Sequence, residues 1–119
     1  MAKAAVVMGS TSDYEVVKKG EEILRQFGVD VEMRILSAHR TPEAAAQFAK
    51  SAQSNGIEVI IAAAGKAAHL AGVLAGITPV PVIGIPMKTS FMGGLDSLLS
   101  VVQMPKGVPV ATVAVDGAE

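Results

Sequence analysis

Five short apolar runs punctuate the chain: Ala4–Met8, Val31–Leu36, Val59–Ala63, Pro81–Ile85 and Val108–Val115. They recur at intervals too long for hairpins and read as strands. The first and third are continuously apolar, the pattern of strands buried on both faces of a parallel sheet. Between the runs the period changes to that of a helix. Val16, Gly20, Ile23/Leu24 and Phe27 recur at helical spacing and predict the buried stripe of a first helix. Ser12-Asp13-Tyr14-Glu15 fits a capping box at its start, and Gly28 is placed to stop it. Thr41-Pro42 predicts an N-cap followed by proline at the first helical position. Ala45, Phe48, Ala49 and Ala52 supply that helix's buried face and Gly56 its end. A third helix is expected from about Ala67 to Gly76, built almost entirely of Ala, Leu, Val and Gly.

Strand and helix in alternation predict an α/β fold: a three-layer, doubly wound parallel sheet of five strands, flavodoxin-like, in one domain over residues 1–119. Such a sheet normally continues into a helix after its last strand. Here Asp116-Gly117-Ala118-Glu119 reads as only the start of one. The expectation is that this C-terminal helix is missing, through truncation or because a neighbouring subunit supplies the cover.

Composition narrows the function classes. Half of the 119 residues are hydrophobic and the net charge is −1, which excludes a disordered tail. With no Cys, disulfide scaffolds and Cys nucleophiles are excluded. Ten basic against eleven acidic residues leave no excess to attract nucleic acid. The longest charge-free stretch, Ala67 to Met87, is broken by four glycines and prolines between Gly76 and Gly84 and by Gly72 and Pro86, so no membrane span is expected. The apolar run near the N-terminus is too short for a signal peptide, and the cytoplasm is the expected compartment.

In open α/β sheets ligands bind beyond the carboxyl ends of the strands, near the point where strand order reverses. That rule selects three loops: Gly9-Ser10-Thr11-Ser12-Asp13, Ser37-Ala38-His39-Arg40-Thr41 and Gly65-Lys66-Ala67-Ala68-His69. The first leads into a helix N-terminus, where free N–H groups and the helix dipole favour an anion such as phosphate. Ser10 and Ser12 offer hydroxyls and Asp13 an acceptor for ribose hydroxyls; simple helix capping explains the same residues equally well. The second loop sets His39, suited to proton transfer near neutral pH, beside Arg40, whose forked donors suit phosphate. The third contains Gly65-Lys66 but is not a phosphate-binding G-x-x-x-x-G-K loop, because Ile60 and Ala67 stand at its defining positions. Lys66 is expected to face solvent or act as an outlying charge. His69 is read equally as a structural histidine of the third helix's first turn or as a ligand contact. The two histidines and the absence of acidic clusters give a metal site little support. Ala62-Ala63-Ala64 leaves no phospho-accepting Asp at the third strand's end, and few aromatics are present to stack a flavin.

These loops, with Val7-Met8-Gly9-Ser10, Ser37-Ala38-His39-Arg40-Thr41-Pro42, Ala67-Ala68-His69-Leu70, Gly94-Leu95-Asp96-Ser97-Leu98 and Val102-Gln103-Met104-Pro105, closely resemble the PurE family of purine biosynthesis. The similarity runs from about Ala4 to Val115. It implies the bacterial-type activity, N5-carboxyaminoimidazole ribonucleotide mutase, which moves a carboxylate from the exocyclic N5 to ring carbon C4 without metal, ATP or other cofactor. The implied route is decarboxylation, capture of CO2 and recarboxylation. The family's proton-shuttling histidine falls on His39, and its substrate contacts fall on Ser10, Asp13 and Arg40, with Ser12, Ser37 and His69 as further lining. A small-molecule substrate and a homo-octamer with sites between subunits are implied too. The chain departs from the family pattern at Ala63, Lys66 and Ala71. Two alternatives stand beside the mutase: an aminoimidazole ribonucleotide carboxylase using free CO2, and a non-catalytic nucleotide-phosphate binding module.

Overall fold

The computed structural model describes all residues, Met1–Glu119. Its elements in chain order are β1 (Lys3–Met8), α1 (Tyr14–Gln26), β2 (Asp30–Ile35), α2 (Pro42–Ser51), β3 (Val59–Ala64), α3 (Leu70–Ala75), β4 (Val82–Pro86), α4 (Leu95–Val102) and β5 (Ala111–Thr112). All strand pairs are parallel, in the order β2-β1-β3-β4-β5. This is the flavodoxin-like order, in which the chain reverses direction across the sheet between β1 and β3.

The two continuously apolar runs occupy the sheet's interior. Ala5 and Val7 of β1, with Ile60 and Ala62 of β3, face Phe48 of α2 and Leu70 and Leu74 of α3. Val6, Met8 and Ala63 point the other way, towards Val17 and Leu24 of α1. Each fully buried Val, Leu or Ile contributes about 1.5–3 kcal/mol of transfer free energy, so an all-apolar strand is favoured only where both faces are covered. The predicted stripe of α2 (Ala45, Phe48, Ala49, Ala52) is buried as expected.

Other expectations need correction. The capping box does not form. A single 3-10 turn, Thr11–Asp13, intervenes, so Ser10, in extended conformation, accepts from the Ser12 N–H two residues early. Asp13 is already helical and makes no side-chain cap, and Glu15 pairs with Lys18 instead. The predicted stripe of α1 holds at Val16, Gly20 and Leu24, which pack on the core side, but Val17 is the buried residue of the helix and Phe27 is 80% exposed. At 3.6 residues per turn Phe27 lies about 80° round the helix from Val17. Gly28, at φ +77°, ends the helix in the left-handed conformation that suits glycine. Thr41 precedes α2, but its hydroxyl bonds Ser37 and does not cap the helix. α3 spans only Leu70–Ala75, which places His69 just before the helix.

α4 has no counterpart among the predicted helices, although Leu95, Leu98 and Val102 carry the helical period. It packs closely on β4. A Cβ on Gly84 would lie 2.5 Å from Val101 Cγ1 and 3.4 Å from Ala71 Cβ, so glycine is what lets α4 and α3 approach the sheet. β5 shrinks from the predicted Val108–Val115 to Ala111–Thr112. It is an edge strand, and Pro109 has no N–H to donate to a ladder. Beyond it the Val113 and Asp116 N–H groups still bond Gly84 and Pro86 carbonyls. Residues 116–119 form no helix, and Ala118 packs on the α1 side of the sheet, against Gly20.

Candidate active site

The carboxyl ends of the four longer strands open into one cleft of about 460 Å³. Parallel pairing brings these ends level: Met8 pairs with Ile35 on one side and Ala63 on the other, and Ala64 with Pro86. Every site residue expected from the sequence, Ser10, Ser12, Asp13, Ser37, His39, Arg40 and His69, lines this cleft. Met87, Lys88 and Thr89 line it as well. They follow β4, and the rule that ligands sit at strand carboxyl ends would have found them if carried to the fourth strand.

At one end the β1 loop turns into the 3-10 helix and α1. Ser10 Oγ lies 2.9 Å from Ser12 Oγ, so two hydroxyls and a helix start face the same space. Asp13 is half-buried here. Burial pushes its carboxyl above the ordinary 3.8; the nearby Asp116 charge adds to this, and a hydrogen bond from the Ser10 backbone partly offsets it. Asp116 is held in place by accepting the Lys88 N–H at 2.8 Å, a contact no sequence motif announced.

The folded state therefore holds the Asp13 proton more tightly than the unfolded chain does. The stability this contributes is complete below 3.8 and is lost as pH rises through the raised folded value. Asp13→Asn should accordingly become more stable than the wild type as pH climbs from the carboxylate range to neutrality. It should also bind its ligand more weakly. Urea titrations at a series of pH values check this, and a stability difference that does not grow with pH would refute it.

On the β2 side, Ser37 organises the turn that presents His39 and Arg40. Its Oγ accepts the Arg40 N–H at 3.0 Å, and Thr41 Oγ1 accepts the Ser37 N–H at 3.0 Å. The Ser37 hydroxyl is thus engaged in shaping the loop. His39 and His69, thirty residues apart, meet in the cleft: His39 Nε2 lies 3.1 Å from His69 Nδ1, with the rings edge-on at 74°. One nitrogen must donate and the other accept, so at least one ring is neutral in this arrangement. Both rings are exposed to the cleft. The pair can hold a proton at one end and receive it back, with the partner ring fixing orientation.

The charge around the site is lopsided. Arg40, Lys66 and Lys88 line the cleft and none forms an ion pair, whereas Asp13 is the one acidic residue on its wall. Lys66 also adopts φ +59°, a left-handed conformation that costs a non-glycine residue roughly 1–2 kcal/mol. Its backbone is held by α4: the N–H donates to buried Ser97 Oγ at 2.8 Å, and the carbonyl lies 3.3 Å from Ser100 Oγ, whose proton goes at 2.8 Å to the Asp96 carbonyl of its own helix. A cationic bowl with hydroxyls, a helix start and a histidine pair suits a small anionic molecule that undergoes proton transfer.

The model of one family, AIR carboxylase, matches residues 3–119. The chain belongs to that family. It is 60% identical over 119 residues to an N5-carboxyaminoimidazole ribonucleotide mutase of Saccharolobus solfataricus, covering 100% of this chain and 75% of that one. The protein of the same name from Thermotoga maritima is 58% identical over 119 residues, with 70% of its length covered. A chloroplastic phosphoribosylaminoimidazole carboxylase of Vigna aconitifolia is 58% identical over 112 residues, 20% of its length. Among solved structures, PurE of Treponema denticola superposes with a TM-score of 0.88 at 28% identity, covering 98% of this chain and 73% of that one. The flavodoxin-like expectation and the family resemblance both hold.

Proposed function

We propose that this protein is an N5-carboxyaminoimidazole ribonucleotide mutase, an isomerase of purine biosynthesis that moves the carboxyl group from N5 to C4. The observation that carries this reading is 57–60% identity, over all 119 residues, to three relatives of that name. The reading treats residues 1–119 as one domain acting on a small-molecule substrate. Assembly into a homo-octamer is part of the proposal, supported by the family resemblance and by exposed apolar side chains such as Ile35 and Leu99.

In this reading the phosphate lies at the start of the 3-10 turn, with the Ser10 and Ser12 hydroxyls, and takes the Arg40 fork. Asp13 accepts from the ribose hydroxyls, which relieves the desolvation of its carboxylate. The N5–carboxyl bond breaks, its electron pair returns to N5, and His39 delivers a proton there. The released CO2 is held in the closed site while C4 attacks it. The proton displaced from C4 returns to His39, so the shift ends with the histidine as it began. His69, 3.1 Å away, orients the His39 ring and supplies the complementary donor or acceptor as its charge changes.

The carboxylase name on the 58% identical plant relative makes free CO2 the alternative co-substrate to test. Purified protein is expected to convert N5-carboxyaminoimidazole ribonucleotide to 4-carboxy-5-aminoimidazole ribonucleotide. Turnover of aminoimidazole ribonucleotide plus CO2 alone would overturn the mutase reading in favour of the carboxylase.

A further inference from the structure

We propose that Lys66 is a substrate-specificity residue whose ammonium binds the carboxylate being transferred, on the β3 side of the cleft from Arg40. This inference rests on the functional reading above and adds a residue to it. Three observations carry it. First, the ten Lys and Arg of the chain divide evenly: Lys3, Lys18, Lys19, Arg25 and Arg34 are ion-paired, and five are not. Three of the five unpaired cations line this one cleft against the single carboxylate of Asp13, so positive charge is in excess where a ligand would enter.

Second, strand order separates the cations. Arg40 follows β2 and Lys66 follows β3, with β1 between them in the sheet. A ligand anionic at two ends, with its phosphate at the β1 turn and Arg40, therefore presents its second anionic group towards the β3 side. Third, Lys66 is tied to the histidine pair by a short stretch of chain. Its carbonyl accepts the Ala68 N–H at 2.9 Å, and the next residue is His69, whose ring contacts His39. A carboxylate passing between N5 and C4 beside His39 is thereby close to the Lys66 loop.

Ser97 of α4 explains why a lysine tolerates the left-handed backbone here. Its buried Oγ accepts the Lys66 N–H at 2.8 Å and holds the residue where its side chain borders the cleft. Glycine would adopt this backbone more readily. The lysine thus stands against a local conformational preference, in a position where its charge has a use.

The test compares two ribonucleotides that share the phosphate and differ in the carboxylate: 5-aminoimidazole ribonucleotide and its 4-carboxy derivative. Calorimetric binding is measured for wild type, Lys66→Met and Lys66→Gly. Lys66→Met removes the charge, and Lys66→Gly also relieves the backbone, so at least one folded variant is secured. Both variants should bind the carboxylated ligand about tenfold more weakly, the scale of one charge-assisted hydrogen bond, with binding of 5-aminoimidazole ribonucleotide unchanged. Lys66→Arg should restore most of the loss. Equal weakening of both ligands would place Lys66 on the phosphate and overturn the inference, as would no change with either. If the wild type bound neither ribonucleotide, the functional reading itself would fall, a result distinct from unaltered variants of a binding-competent protein.

Discussion

Replacing His39 with Asn is expected to lower turnover of N5-carboxyaminoimidazole ribonucleotide by roughly 10²–10⁴-fold, the usual worth of a positioned acid–base group. Asn keeps a donor and an acceptor near the place of the imidazole but cannot exchange a proton at neutral pH. The contact with His69 at 3.1 Å can thus be partly retained while the proton shuttle is lost. His39 is exposed on the β2 loop, so the fold should change by no more than about 0.5 kcal/mol, as for other surface substitutions. Product formation followed by absorbance, with ligand affinity measured separately, checks the result. Wild-type turnover in the variant would remove His39 from the chemistry. Binding without turnover in the wild type itself would instead leave a non-catalytic binding module.

Arg40→Ala should act on affinity. Charge-assisted hydrogen bonds to an ionised group contribute about 1.5–3 kcal/mol, so binding should weaken by about 10- to 150-fold. The Arg40 guanidinium makes no ion pair in the fold, and only its backbone N–H is engaged, at Ser37 Oγ. Removing the side chain therefore leaves no buried charge unpaired, and stability should hold. The phosphate is remote from the reacting atoms and is bound equally before and during the reaction, so KM should rise with kcat little changed at saturation. Arg40→Lys should fall between, because it keeps the charge but loses the planar fork. Steady-state kinetics at fixed ionic strength provide the measurement, and an unchanged KM would move the phosphate elsewhere. Together the two substitutions separate chemistry from binding within adjacent positions of one loop.

The chain's local patterns carried much of the architecture. Unbroken apolar runs in β1 and β3 could be satisfied only inside a parallel sheet, and the Ala45/Phe48/Ala49/Ala52 stripe located the buried face of α2. The carboxyl-end rule then gathered seven site residues from three loops, because backbone geometry at those ends is common to all such sheets. Weakly patterned segments were harder to read. α1 offers two adjacent apolar lines, through Val16 and Phe27 or through Val17 and Leu24; Val16, Val17 and Leu24 all pack on the core, and only the sheet decides that Phe27 is left outside. β5 is rich in Val yet pairs over two residues, because strand length at an edge depends on what the neighbouring strand can bond. α4 is too short for its helical period to stand out in the chain, although Ser97 and Val101 are buried, Val101 against Gly84 of β4.

Residue chemistry and periodicity are local properties, legible wherever they occur in a chain: a histidine beside an arginine, a glycine after a strand, a stripe every third or fourth position. They indicate the fold class and nominate the candidate residues, and the loop motifs carry the family resemblance. Distances between positions remote in the chain depend on register and strand order. The 3.1 Å meeting of His39 and His69, the Asp116 charge near Asp13, and the grip of Ser97 on Lys66 arise from packing among segments about thirty or more residues apart, and the folded sheet alone brings them together.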